Sequence, residues 1–156
     1  VISKELTEQL KFEEGFKLKM YHCTKGKRTI GIGHNLDARP FFPGTRKKIP
    51  DTITVDQALL LFREDTEDIQ FDMFLHWPYI KELSQVRRDA VLNMAFQLGC
   101  SRLMGFKKML KALEKGQWIN AHDQALDSNW CKQTPARATR VATQFISNTH
   151  YKVPTK

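Results

Sequence analysis

Glu14, Cys23 and Thr29 bring a carboxylate, a thiol and a hydroxyl into the single stretch Glu14 to His34, EGFKLKMYHCTKGKRTIGIGH. A carboxylic acid can donate a proton to a leaving group, and a thiolate can take a proton from water or attack carbon itself. Each residue also has a plain reading. A glutamate near a helix end is commonly a solvated charge, a threonine in a strand reflects β propensity, and a single cysteine behaves as a small apolar group. It is the joint spacing of the three that points to a catalytic cleft.

The elements that must position them follow from hydrophobic periodicity. Phe16 to Cys23 alternates apolar and polar, and Lys27 to Gly33 alternates again after the loop Thr24-Lys25-Gly26, so two strands joined by a short hairpin are expected. Gly26 occupies the loop position that takes a left-handed backbone. With Cys23 opposite Lys27 and Tyr21 opposite Thr29, the odd-numbered positions share one face, and the thiol and hydroxyl point the same way. A first helix from about Ser3 stops at Gly15, which hangs the Glu14 carboxylate over the start of the ribbon.

The pattern of Glu14, Cys23 and Thr29 followed at once by I-G-I-G-H resembles the catalytic stretch of phage-type lysozymes, the muramidase endolysins of glycoside hydrolase family 24. Val86 to Gly99 (VRRDAVLNMAFQLG), Gly105 to Leu110 (GFKKML) and Trp130 to Val141 (WCKQTPARATRV) are similar to later motifs of that family, in the same order, so the likeness covers nearly the whole chain. It implies an α+β, mostly helical fold with a small antiparallel sheet lobe and a helical C-terminal lobe joined by a long helix. The corresponding domain is a single catalytic unit over 1–156, with an N-terminal lobe at about 13–60, a linking helix at about 55–75, and a helical lobe at about 76–156 on which the first helix packs.

The same likeness implies roles. Glu14 is the general acid, and Cys23 stands where the best-known members carry Asp; the family signature accepts either. Family members are similar to inverting glycosidases, in which a water held near Asp and Thr attacks the anomeric carbon. Cys23 as thiolate would orient or deprotonate that water, or would attack carbon itself with retention. Lys25, Lys27, Arg28 and His22 are expected to lower its ionisation from the free-thiol value of about 8.5. Glutamate ordinarily ionises near about 4.3, so a Glu14 donor needs burial or substrate to hold its proton. The family also implies that Arg137 pairs with Glu14, that His34 pairs with Asp65, and that Phe96 and Gln97 line the cleft. Asn35 sits at a further substrate-binding position where an apolar rim residue is usual. Arg137 as a solvated helix charge, Phe96 as a buried ring and Gln97 as a helix-surface amide are the plain alternatives.

The remaining patterns are helical. Thr54 and Gln57 form a capping box for a helix carrying Val55, Ala58, Leu59, Phe62, Ile69 and Met73, and Ser84 caps a helix ended by Gly99. Phe106 to Lys115, Trp118 to Leu126, and a last helix from Pro135 to about Phe145 follow. The proline-rich stretch after His34 reads as a loop whose Phe41 and Phe42 form either a sugar-stacking rim or an apolar plug.

At 156 residues and 41% hydrophobic content, the chain can bury a core. It contains no apolar run of about 18 residues, and its charged amphipathic start is neither a signal peptide nor an anchor, so a soluble product of the host cytoplasm acting on periplasmic peptidoglycan is expected. Three widely spaced cysteines argue against a disulfide framework, with Cys100 and Cys131 structural. No metal or other cofactor is expected. Of the net +8, residues 1–99 carry +1 and residues 100–156 carry +7. That basic end favours anionic cell-envelope polymers. Cleavage between N-acetylmuramic acid and N-acetylglucosamine by a monomer, released through a holin, is the expected function. A lytic transglycosylase, a non-catalytic wall-binding protein and a nucleic-acid binder are the alternatives, the last without any helix-turn-helix or stacking motif and so expected not to apply.

Overall fold

The computed structural model describes residues 2–154; the expected domain limits at 1 and 156 lie outside the described residues. The order is α1 (Lys4–Glu14), β1 (Lys17–His22), β2 (Arg28–Gly31), β3 (His34–Asn35), α2 (Val55–His76), a 3₁₀ turn at Pro78–Glu82, α3 (Gln85–Leu98), α4 (Cys100–Met104), α5 (Lys107–Glu114), α6 (Trp118–Leu126), α7 (Asn129–Gln133) and α8 (Pro135–Ser147). It is a mostly helical α+β fold with one small antiparallel sheet, in the order β1-β2-β3. Among the described residues, no helix is long and apolar enough to cross a membrane.

Local chemistry sets the helix ends. The Ser3 hydroxyl accepts from the Leu6 N–H at the start of α1, and Gly15, with φ of 79°, releases the chain at its end. Thr54 and Gln57 exchange both bonds of the capping box, and Ser84 accepts from the Arg87 N–H. Two short helices, α4 and α7, and the strand β3 were not legible as separate elements. Each is five residues or fewer, too short to show a period.

The apolar residues form two cores. Ile30, Leu36, Ile49, Ile53, Ala58 and Leu61 make the smaller one, under the sheet. The larger gathers α1 (Leu6, Leu10), α3 (Val91, Met94), α8 (Val141, Phe145) and Trp130. Helix α2 serves both, with Ala58 and Leu61 in the first and Phe62 and Met73 in the second. The I-G-I-G run does the same on a shorter scale, since Ile30 enters the smaller core and Ile32 the larger. Phe42 packs as a plug on the smaller core while Phe41 stays exposed, and neither ring reaches the cleft described below.

The sheet is fastened to α2 by a buried ion pair. His34 Nδ1 lies 2.8 Å from Asp65 Oδ2, and Nε2 lies 2.9 Å from the Arg39 carbonyl oxygen. Both neighbours can only accept, so both ring nitrogens donate and the imidazole is charged. Burial pulls His34 down, but the Asp65 hydrogen bond and charge, with the Arg39 carbonyl, outweigh it and hold His34 above its ordinary value. A raised folded pKa gives stability that is fully present below the unfolded value of about 6.5 and is lost as pH rises through the folded one. Thermal unfolding of the wild type and His34→Asn across pH is expected to differ by about 2 kcal/mol below pH 6.5 and to converge as the pH rises.

Candidate active site

Glu14 is the last residue of α1, and the hairpin returns beneath it. Tyr21 pairs with Thr29 and His22 with Arg28, while the Cys23 N–H donates to the Lys27 carbonyl at 2.9 Å, so Cys23 and Thr29 do share a face. A bulge between Lys17 and Tyr21 shifts the lower register, where Lys17 meets Gly31. Strict alternation from Phe16 therefore fails below Tyr21, and the end of the ribbon that carries Cys23 and Thr29 lies above the shift. Gly33 brings the backbone against the carboxylate. With φ of 66°, it leaves room that a Cβ would fill, 2.9 Å from Glu14 Oε1.

A cleft of about 550 Å³ opens between the sheet and the helical lobe. Cys23, Thr29 and Asn35 line it from the hairpin and sheet, and Glu14, Phe96 and Gln97 from the helices, with Asp65 also on its wall. Arg137 and His34 are buried and pair with Glu14 and Asp65. The Phe96 ring packs on Phe62 at 5.9 Å, and Trp130 Nε1 donates to Gln97 Oε1 at 2.7 Å, so both residues are held while facing the cleft. Asn35 Oδ1 accepts from the Asp37 and Ala38 N–H groups, which closes a turn at the cleft edge.

Arg137 is no solvated helix charge. It is 7% exposed, and its Nη1 donates to Glu14 Oε2 at 2.6 Å. Its Nε and Nη2 donate to Asn93 Oδ1 at 3.1 and 2.9 Å. Asn93 Nδ2 donates in turn to Gln9 Oε1 and to the Tyr151 hydroxyl, which donates to Glu13 Oε2 at 2.7 Å, and Arg140 grips both oxygens of Glu13. Sequence reasoning missed Asn93, Glu13, Arg140 and Tyr151. The available signal was a polar Asn93 inside the apolar run of α3, which has to be satisfied when buried.

The thiol ionises more readily than a free one, although not for the reason expected. Burial raises it, but the N–H groups of Lys25 and Lys27 and the Thr29 side chain prevail and lower it. The nearby cationic side chains are not among the causes. A tight hairpin aims backbone donors at sulfur, while lysine side chains reach into solvent. Thr29 Oγ1 also donates to the Lys27 carbonyl at 2.9 Å, and its single proton cannot serve both acceptors at once. Across the cleft, burial and the nearby Asp72 charge push Cys100 up. All three cysteines are free thiols, and no cluster of metal-ligating side chains occurs among the described residues.

The family model described as phage lysozyme matches residues 11–142. The chain is 35% identical over 152 residues to the pre-baseplate central spike protein Gp5 of Enterobacteria phage T4, covering 87% of this chain and 26% of that protein. It thus spans about a quarter of the spike protein's length. A probable T4-type lysozyme 1 of Dictyostelium discoideum is 32% identical over 162 residues, covering 92% of this chain and 95% of that protein. An endolysin of Acyrthosiphon pisum secondary endosymbiont phage 1 is 29% identical over 131 residues, with 84% and 80% covered.

Alkylation rates against pH, resolved by peptide mass spectrometry, separate the thiols. Cys23, whose ionisation is lowered, is expected to reach half its maximal rate at a lower pH than Cys100, whose ionisation is raised.

Proposed function

This chain belongs to the phage lysozyme family and is a muramidase-type glycoside hydrolase acting on peptidoglycan, and we propose that it cuts the β-1,4 bond between N-acetylmuramic acid and N-acetylglucosamine to lyse a bacterial host. The observation that carries the reading is the shared cleft, in which Glu14 faces a thiol and a hydroxyl from the hairpin. A glycosidic bond lying there has a proton donor on one side and a water-holding pair on the other.

Glu14 acts as general acid. In the free enzyme its Oε2 accepts from Arg137 Nη1, whereas donation needs a proton on that carboxyl. Substrate filling the cleft expels water and loosens that pair, and the carboxyl takes up a proton before the leaving oxygen does. Cys23, as thiolate, accepts a proton from the attacking water, and Thr29 supplies the second contact that orients it. Water then adds to the anomeric carbon as the glycosidic C–O bond breaks, with inversion. The same thiolate is also placed to attack carbon, which would give a thioglycosyl intermediate and retention.

Asn35, Phe96 and Gln97 contact saccharide at the cleft walls, and Arg137, His34 and Asp65 support the site. The whole forms one lysozyme-like domain working as a monomer without cofactor. Its cationic C-terminal half draws it to anionic envelope polymers once a holin has released it from the host cytoplasm.

Cleavage of purified peptidoglycan is the test. Glu14→Gln is expected to lose at least about a thousandfold in rate, as removal of an acid catalyst does. In the series Cys23→Asp, Cys23→Ser and Cys23→Ala, only the Asp variant is expected to keep substantial turnover, with an inverted anomer. Equal rates in all three would make the thiol a bystander, and anhydromuramyl ends would identify a transglycosylase instead.

A further inference from the structure

The charges around the cleft are unevenly balanced. Glu14 is paired with Arg137, and Asp65 with His34 and Arg39, so both carboxylates of the cleft wall are already answered. Arg28 and Arg39 are likewise neutralised, by Asp37 and by Asp68. Three cations facing the same cleft are not. Lys25 and Lys27 at the hairpin tip and Arg102 on α4 stand on opposite walls, and none forms an ion pair among the described residues. Lys27 comes near enough to Asp37 to help hold that carboxyl low, but does not bridge to it. Arg102 also lines a second groove of about 510 Å³, where Lys107 and Lys108 continue the positive charge and Asp127 is the sole carboxylate.

Resting on the muramidase reading above, we infer that Lys25, Lys27 and Arg102 make the cleft selective for glycan carrying free carboxylates on its peptide stems. The sugars of peptidoglycan are uncharged where they are linked, since the lactyl carboxyl of muramic acid is tied up as an amide to the stem. Anionic charge near the scissile bond therefore comes from the stem peptide. Because Arg102 lines both grooves, a stem that leaves the cleft past it meets Lys107 and Lys108 in the adjoining one. Low-dielectric walls focus such a field, which makes unpaired cations effective at drawing in and seating an anionic substrate. Pairing of this kind between exposed groups is weak singly and screened by salt. Two stem carboxylates seated on three cations favour the charged substrate by about fivefold.

The experiment compares purified sacculi before and after carbodiimide-driven amidation of their stem carboxylates, at low and high salt. Wild-type enzyme is expected to cut native sacculi about fivefold faster than amidated ones at low salt, with the ratio falling toward one as salt rises. The triple variant Lys25→Gln, Lys27→Gln, Arg102→Gln is expected to lose that ratio, Arg102→Gln alone to reduce it, and Lys4→Gln, remote on α1, to retain it. Equal rates of wild type on both substrates would overturn the charge selectivity while leaving the hydrolase reading intact. Absence of cleavage on either substrate would overturn the hydrolase reading and this inference with it.

Discussion

A guanidinium taken out of water is the constraint on which the rest of the molecule turns. Arg137 is almost wholly buried at the start of α8, and a buried charge is tolerated only where it is paired and hydrogen-bonded. Glu14 supplies the charge and Asn93 the hydrogen bonds, so the end of α1, the middle of α3 and the start of α8 meet at one point. Behind it, Asn93 hands on to Tyr151 and Gln9, and Glu13 to Arg140. Among the described residues, no buried side-chain polar atom is left without a partner. The carboxylate assigned as acid is consequently held by the larger core and cannot drift with the hairpin.

The opposite wall is fixed by a different device. His34 and Asp65 pin the sheet to α2, whose residues enter both cores. The cleft lies between those cores, with the acid belonging to one and the thiol to the other. Gly33 lets the hairpin backbone pass close under Glu14, where any side chain would push the carboxylate aside. Cys23 sits at the tip of the ribbon, near solvent, where the turn's own N–H groups stabilise the thiolate. The ionisation of that sulfur is thus lowered by backbone geometry and the Thr29 side chain rather than by neighbouring charge.

Much of this was legible in the residues alone. Alternation in the ribbon from Tyr21 to Thr29, Gly26 in the turn, Thr54 and Ser84 as caps and Gly15 and Gly99 as stops all act within a few residues of where they stand, and local rules read local causes. The stop of α1 at Gly15, which leaves Glu14 at the helix end, followed from the same rules. Asn93, Tyr151 and Arg140 were not legible, because their meaning depends on partners far along the chain that only the packed fold brings near. The bulge below Tyr21 escaped for a related reason. Thr52 bridges Lys19 there, and a pairing from a distant loop overrides simple alternation. The source of the thiol's acidity was misread because counting basic residues takes no account of where their side chains point.

The pairing of Arg137 with Glu14 is held to be structural in the free enzyme and loosened by substrate during donation. Replacing Arg137 by Ala, with unfolding by denaturant and turnover on peptidoglycan measured on the same preparation, addresses this most directly. Stability should fall by about 3 kcal/mol, as when one partner of a buried pair is removed, while turnover falls less than about tenfold, or about 1.4 kcal/mol in barrier. A folded Arg137→Ala protein with essentially no turnover would contradict it, because the guanidinium would then be needed in the chemical step itself.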